Sequence, residues 1–167
     1  MTFIIHCWKI QALNLSTMIQ VMWELVMSSE MIMMIPVLRQ RRGRSFARQG
    51  DAARDRQDWP HAAAAYRNAV RLIPKRTDLW VQYGHALKGM GNLVDAELAY
   101  RRALSAQPFN ADTHLQLGHV LKMLNRHEEA AFAYKRAYIL APAWQPPLAE
   151  LNNYHIDYRN QVTLPTN

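Results

Sequence analysis

Residues 79–88 read LWVQYGHALK, and residues 113–122, which lie 34 positions later, read THLQLGHVLK. Five residues coincide between the two stretches: a Gln, a Gly, a His, a Leu and a Lys. The second half of the unit keeps the same offset, because Ala96, Tyr100, Ala103 and Pro108 recur as Ala130, Tyr134, Ala137 and Pro142. One offset shared by all these positions indicates an internal repeat.

An earlier copy is found by stepping back another 34 residues, although its opening segment carries more charge. Its matching positions are Gly50, Ala62, Tyr66, Ala69 and Pro74. The chain therefore divides into copies at residues 43–76, 77–110 and 111–144. The outer copies depart from the middle one in a few places: Phe46 and His114 stand at the position of Trp80, and Asn125 at that of Gly91.

Each copy is predicted to form two helices joined by a tight turn. In the middle copy, apolar residues recur at helical spacing over Asp78–Met90 and over Leu93–Ala106. Gly91 marks the turn between them, and a proline ends the second helix of each copy. Thr77 and Asp112 are predicted to cap the helices that open the second and third copies.

The alternation of small and large residues predicts how these helices pack. Gly84 and Gly118 would let the two helices of a hairpin approach closely, with a small alanine opposite each. Tyr100 and Tyr134 are predicted to reach toward the next unit. Because one hairpin cannot bury both of its apolar stripes, the copies are expected to stack.

The repeated residues resemble the tetratricopeptide repeat family, and the middle copy carries the resemblance best, with Trp80, Tyr83, Gly84, Tyr100 and Pro108 at the family's positions. The resemblance implies an all-α, right-handed superhelical solenoid of three helix-turn-helix repeats. Beyond it, residues 145–158 are predicted to form a C-terminal capping helix, with Pro147 at a first helical position, and residues 159–167 a tail.

In this family the first helix of each hairpin lines a concave groove. The resemblance therefore predicts ten groove residues: Asp78, Val81, Gln82, His85, Lys88, Asp112, Leu115, Gln116, His119 and Lys122. Gln can hydrogen-bond an extended peptide backbone and Lys can meet a carboxylate, so the expected ligand is an extended, partly acidic peptide. The family's clamp for acidic chaperone tails has Asn where His85 and His119 stand, which argues against that ligand. The alternative is that these residues are merely solvated.

Residues 1–42 form a leader that contains seven of the nine methionines and has a basic end. Met18–Leu38 is long enough to span a bilayer, but Glu24 and Glu30 inside it disfavour a stable span. We expect this leader to be poorly ordered, to form a separate helix, or to precede the true start of translation. A secretory signal is disfavoured because only Lys9 precedes the apolar stretch.

The chain offers little that could carry out chemistry. It has no Gly-rich phosphate loop, no Gly-x-Ser-x-Gly turn and no pair of histidines at metal-ligand spacing, so we expect no catalysis, no metal and no cofactor. Its single cysteine, Cys7, cannot form an intramolecular disulfide. The net charge of +7 includes a dense basic cluster at residues 39–44, but no aromatic residues are interleaved there, which disfavours nucleic acid as a partner.

These observations predict a cytoplasmic scaffold for protein–protein interactions that binds a protein or peptide segment in its groove. One alternative is an accessory fragment of a bacterial glycosyltransferase of the O-linked sugar transferase type, because the sequence of these repeats resembles that of the repeats that precede such domains. Another alternative places residues 1–38 in a membrane with the repeats on the cytoplasmic side. The sequence favours the protein-interaction scaffold over both alternatives.

Overall fold

The computed structural model describes residues 15–152, and every regular element in that range is a helix. The all-α solenoid is thereby confirmed. Within residues 15–152 the seven helices are α1 (Leu15–Asp55), α2 (Trp59–Leu72), α3 (Thr77–Gly89), α4 (Leu93–Ala106), α5 (Ala111–Met123), α6 (His127–Leu140) and α7 (Gln145–Asn152). The chain divides into two compact units, Met1–Arg41 and Arg42–Asn167, which are described separately.

The described part of the first unit is the N-terminal portion of α1, which continues through Pro36. Its large apolar side chains from Met33 to Leu38 are exposed. Among the residues described, no helix is both long and apolar enough to cross a bilayer. Residues 1–14 of the predicted leader lie outside the described range.

The second unit is built from successive helical hairpins. The last part of α1 with α2, α3 with α4, and α5 with α6 form the three copies, and each hairpin packs on the next. α7 packs against α6, and its Leu151 is completely buried. Pro147 is the third residue of α7 rather than the first. The rest of the predicted capping helix and the tail, residues 153–167, lie outside the described range.

The turn between the two helices of each hairpin uses one backbone geometry three times. Gln57, Gly91 and Asn125, each 34 positions apart, have positive φ values of 57°, 78° and 60°. Asn tolerates this left-handed conformation better than most residues, which explains how Asn125 replaces the glycine. The turn of every copy thus contains one residue in the left-handed region at the same repeat position.

Two of the predicted helix caps are wrong. Thr77 and Asp112 lie inside the first turns of α3 and α5, and the caps are Arg76 and Asn110. The Asn110 side chain accepts a hydrogen bond from the backbone N–H of Thr113 at 2.9 Å. Asn is a preferred cap because its short side chain reaches the orphan N–H groups of the first turn. An aspartate inside that turn is still favoured by the helix dipole.

Each repeat glycine accommodates a tyrosine ring. A Cβ atom added to Gly50, Gly84 or Gly118 would lie 2.4 to 2.8 Å from the ring of Tyr66, Tyr100 or Tyr134, respectively. All three rings are fully buried. Each tyrosine ring therefore packs against the glycine of its own hairpin. The glycine is required because the ring occupies the space of a side chain.

The substitution of His114 for tryptophan keeps one hydrogen bond. In the middle copy the indole Nε1 of Trp80 donates to the carbonyl oxygen of Pro74 at 3.0 Å. In the third copy Nε2 of His114 lies 2.9 Å from the carbonyl oxygen of Pro108, which is the equivalent proline. A histidine carrying its proton on Nε2 can donate that bond, so the anchor to the preceding loop is preserved.

Candidate functional site

A cavity of about 650 Å³ lies where α1, α3 and α5 end. Three basic residues, two histidines, two large apolar residues and one glycine surround it: Arg54, Trp59, His85, Lys88, Gly89, His119, Lys122 and Met123. Lys88 and Lys122 stand in the last turns of their helices, where the dipole favours a positive charge. We refer to these eight residues as the groove site.

A ladder of side-chain hydrogen bonds joins the first helix of each hairpin to the first helix of the following hairpin. Arg54 donates to Gln82 at 3.0 Å, and Lys88 donates to Gln116 at 2.8 Å, each across 28 residues. At the C-terminal end Lys122 donates to Glu150 of α7, also at 2.8 Å and across 28 residues. The recurring Gln and Lys thus pair with each other between successive repeats, and Glu150, which lies 34 positions after Gln116, takes the place of the Gln at the C-terminal end.

The two histidines of the groove site are held by the buried tyrosines. The hydroxyl of Tyr100 lies 3.0 Å from Nδ1 of His85, and that of Tyr134 lies 3.1 Å from Nδ1 of His119. In the first copy the hydroxyl of Tyr66 donates to Oδ1 of Asp51 at 2.8 Å, so an aspartate replaces the histidine. A neutral histidine whose Nδ1 accepts a hydrogen bond from the tyrosine hydroxyl carries its own proton on Nε2. Each imidazole then retains one N–H donor.

Burial lowers the pKa of His85 and of His119, and nearby lysines lower both further, although carboxylates partly oppose the effect. The opposing carboxylates are Asp112 for His85, and Glu150 and Asp112 for His119. Burial also lowers the pKa of Lys88, with Asp112 acting in the opposite direction. The histidines are consequently neutral at neutral pH.

These histidines make stability depend on pH. The folded state binds their protons more weakly than the unfolded state, so their contribution is present above about pH 6.5 and is lost on acidification through the lower folded pKa. We expect the free energy of unfolding to fall between about pH 7.5 and pH 5. A His85→Gln, His119→Gln variant, whose amide oxygens can accept from the tyrosines, should show a shallower dependence. Urea unfolding at several pH values measures it, and an unchanged slope would contradict the assignment.

The structure places the ten sequence-predicted groove residues in three kinds of environment. His85, Lys88, His119 and Lys122 line the groove site. Leu115 is 4% exposed and belongs to the core, so it cannot meet a ligand. The remaining five lie outside the lining. Val81 packs against the core, and Gln82 and Gln116 accept hydrogen bonds from Arg54 and Lys88, respectively. Asp78 pairs with Arg76, and Asp112 lies 3.5 Å from the Gln116 amide.

Sequence reasoning missed four residues of the groove site. Arg54 stands 34 positions before Lys88, so the repeat itself contained the signal for it. Met123 follows Lys122 as Gly89 follows Lys88. Trp59 has no aromatic equivalent in the later copies, and its ring lies so close to Gly89 that a Cβ there would be 2.5 Å from it. That contact is visible only in the folded chain.

A second cavity of about 520 Å³ lies between α4, α5 and α6 and is lined partly by leucines and Phe132. Beside it, the largely buried Glu97 accepts from Arg101 at 2.8 Å and pairs with Arg126. Among the side chains that the structure describes, no group of three or more His, Cys, Asp and Glu could hold a metal ion. Of these two cavities, the groove site has more basic side chains in its lining.

Comparisons with known proteins agree on the repeat. The family model described as tetratricopeptide repeat matches residues 77–110 and 111–143. The chain is similar to the Arabidopsis OM64 TPR domain, with a TM-score of 0.67 and 21% identity over 71% of this chain and 99% of that one. It is also similar to MamA, with a TM-score of 0.65 and 18% identity over 71% and 68% of the two chains.

A further similar structure is the first TPR of Spaghetti (RPAP3) bound to the HSP90 peptide SRMEEVD, with a TM-score of 0.66 and 17% identity. The alignment covers 70% of this chain and 92% of that one. No curated protein sequence matches the chain. At these identities the structural likeness establishes the fold.

Proposed function

Residues 77–143 belong to the tetratricopeptide repeat family, and from this premise we propose that the chain is a protein-interaction module whose groove site binds an extended acidic peptide. A similar structure, the first TPR of Spaghetti, holds a peptide that contains two glutamates and an aspartate. The observation that carries the proposal is the convergence of Arg54, Lys88 and Lys122 on one cavity, where Lys88 donates to a neutral amide rather than to a carboxylate. Such a surface attracts carboxylates.

The residues of the groove site suit a ligand with both charged and apolar parts. Lys88 pairs with the neutral amide of Gln116, and an ammonium group has three N–H donors, so the bond to Gln116 leaves donors for a carboxylate. Trp59 and Met123 offer apolar surface between the cations. The Nε2–H groups of His85 and His119 supply donors for peptide carbonyls. We therefore infer a segment with an apolar side chain flanked by Asp or Glu.

Glu150 is expected to oppose such a ligand. Its carboxylate neutralises Lys122 at 2.8 Å and lies 3.8 Å from Nδ1 of His119. A ligand carboxylate near Lys122 competes with it and is repelled by it. The middle of the groove site, around Lys88, is therefore the strongest position for an acidic residue.

The test is binding of two fluorescein-labelled peptides, EELEEL and QQLQQL, measured by fluorescence anisotropy. We expect the full chain to bind the acidic peptide more tightly, and Lys88→Ala, Lys122→Ala to weaken that binding by about tenfold or more, because charge-assisted hydrogen bonds are lost. Glu150→Gln should strengthen it. The control is Lys75→Ala, Arg136→Ala, which removes the same charge outside the groove site. Equal losses in the two double variants, or equal binding of the two peptides, would refute the proposal.

A further inference from the structure

The net positive charge of the chain is confined to one segment. Residues 39–76 contain eleven Lys and Arg but only three Asp, a net charge of +8, whereas residues 77–167 contain eight of each sign and are neutral. Residues 1–38 carry −1. The groove site therefore accounts for little of the excess, which begins abruptly at Arg39.

An exposed apolar segment directly precedes this charge on the same helix. Met33, Met34, Ile35, Val37 and Leu38 are between 49% and 76% exposed, and all belong to the described part of the first unit. At 3.6 residues per turn, five apolar residues among six positions cover every side of the helix. Single exposed apolar residues are ordinary, but a complete apolar turn of a helix in water is not.

The combination fits an anionic lipid surface. An interfacial helical segment lies along the membrane surface and buries its apolar side chains about 5–10 Å into the headgroup and acyl boundary, and Met33–Leu38 offers exposed apolar side chains to that layer. Arg39 and Arg41 follow directly on the same helix and can reach lipid phosphates, and no acidic residue occurs from Met31 to Gly50. One apolar insertion plus a basic cluster supplies the two signals that stable peripheral binding requires.

We propose that Met33–Arg41 of α1 is a peripheral membrane-docking segment, which inserts its apolar residues shallowly and binds acidic lipid headgroups through its arginines. Nucleic acid offers phosphates for the arginines but no apolar phase for Met33–Leu38, so lipid accounts for both halves of the segment. Met33–Leu38 rises about 9 Å along the helix, far less than the hydrocarbon core of about 30 Å, so we place the segment on the membrane surface.

The test is co-sedimentation of the full chain with sucrose-loaded vesicles, either pure phosphatidylcholine or phosphatidylcholine with phosphatidylglycerol at 7:3. We expect binding to the anionic vesicles that weakens as salt is raised. Arg39→Gln, Arg41→Gln should weaken it by about 25-fold, at about fivefold for each arginine near the surface. Ile35→Ser, Leu38→Ser should weaken it by about tenfold or more, because apolar burial is lost.

Two matched controls lie on the repeats. Arg102→Gln, Arg136→Gln removes two exposed arginines, and Leu98→Ser, Phe132→Ser removes two apolar side chains that are 60% and 66% exposed. Both controls should bind vesicles like the unchanged chain. Equal losses in test and control variants would overturn the proposal, as would equal binding to neutral vesicles. So would binding to a labelled DNA duplex that the vesicles do not compete for, or self-association through Met33–Leu38 without vesicle binding.

Discussion

Replacing Gly118 with valine is expected to lower the free energy of unfolding by about 3 kcal/mol, at the upper end of what overpacking a core costs. A Cβ at this position would lie 2.4 Å from Cε1 and 2.6 Å from Cδ1 of Tyr134. The ring cannot easily move, since it is fully buried and its hydroxyl is bonded to His119. Urea unfolding followed by circular dichroism measures the loss.

A double-mutant cycle separates this clash from any other effect of the glycine. Gly118→Ala is measured in the unchanged chain and in a Tyr134→Leu background, where the ring is absent. We expect the alanine to cost much less in the second background. If its cost is the same in both, the tyrosine ring is not the reason for the glycine.

Replacing Leu151 with alanine is the second change expected to have a large effect, a loss of about 3 kcal/mol in the free energy of unfolding. Leu151 is completely buried although it lies on α7, a helix of only eight residues that covers α6. Without this side chain the last hairpin loses the apolar contact that shields it from water. The same urea titration measures the effect.

The matched control is Leu98→Ala, which removes the same atoms from a side chain that is 60% exposed. Its cost should stay within about 0.5 kcal/mol, as for most surface substitutions. An equal, small effect of both changes would mean that α7 does not stabilise the third repeat. A large effect of Leu151→Ala alone would establish α7 as its cap.

Much of the fold follows from local pattern. A 34-residue period with a small residue at Gly84 and a large aromatic at Tyr100 specifies a helical hairpin, because only that arrangement buries both stripes at the observed spacing. The turn at Gly91 could equally be predicted from the sequence. The caps were not, since Thr77, Asp112 and Asn110 are all chemically able to cap and only the backbone geometry selects among them.

The candidate site was predicted less completely. The period picked out Lys88 and His85 as repeated, but it could not distinguish a residue that lines the groove site from one that pairs with a neighbouring repeat. Gln116 is an example, because its amide oxygen is already occupied by Lys88. Leu115 is another, because helical spacing alone does not say which side of a helix the neighbouring hairpin covers.

The amino-acid sequence by itself determined the repeat, the hairpins and the register of glycine against tyrosine, since these depend on contacts within about 34 residues that every copy restates. Only the tertiary structure decided what the polar residues do. The hydrogen bond from Arg54 to Gln82 and the packing of Trp59 against Gly89 join the first repeat to the second, and the pairing of Lys122 with Glu150 joins the third repeat to α7. Their geometry is set by how the hairpins stack, and stacking positions side chains that no local pattern relates.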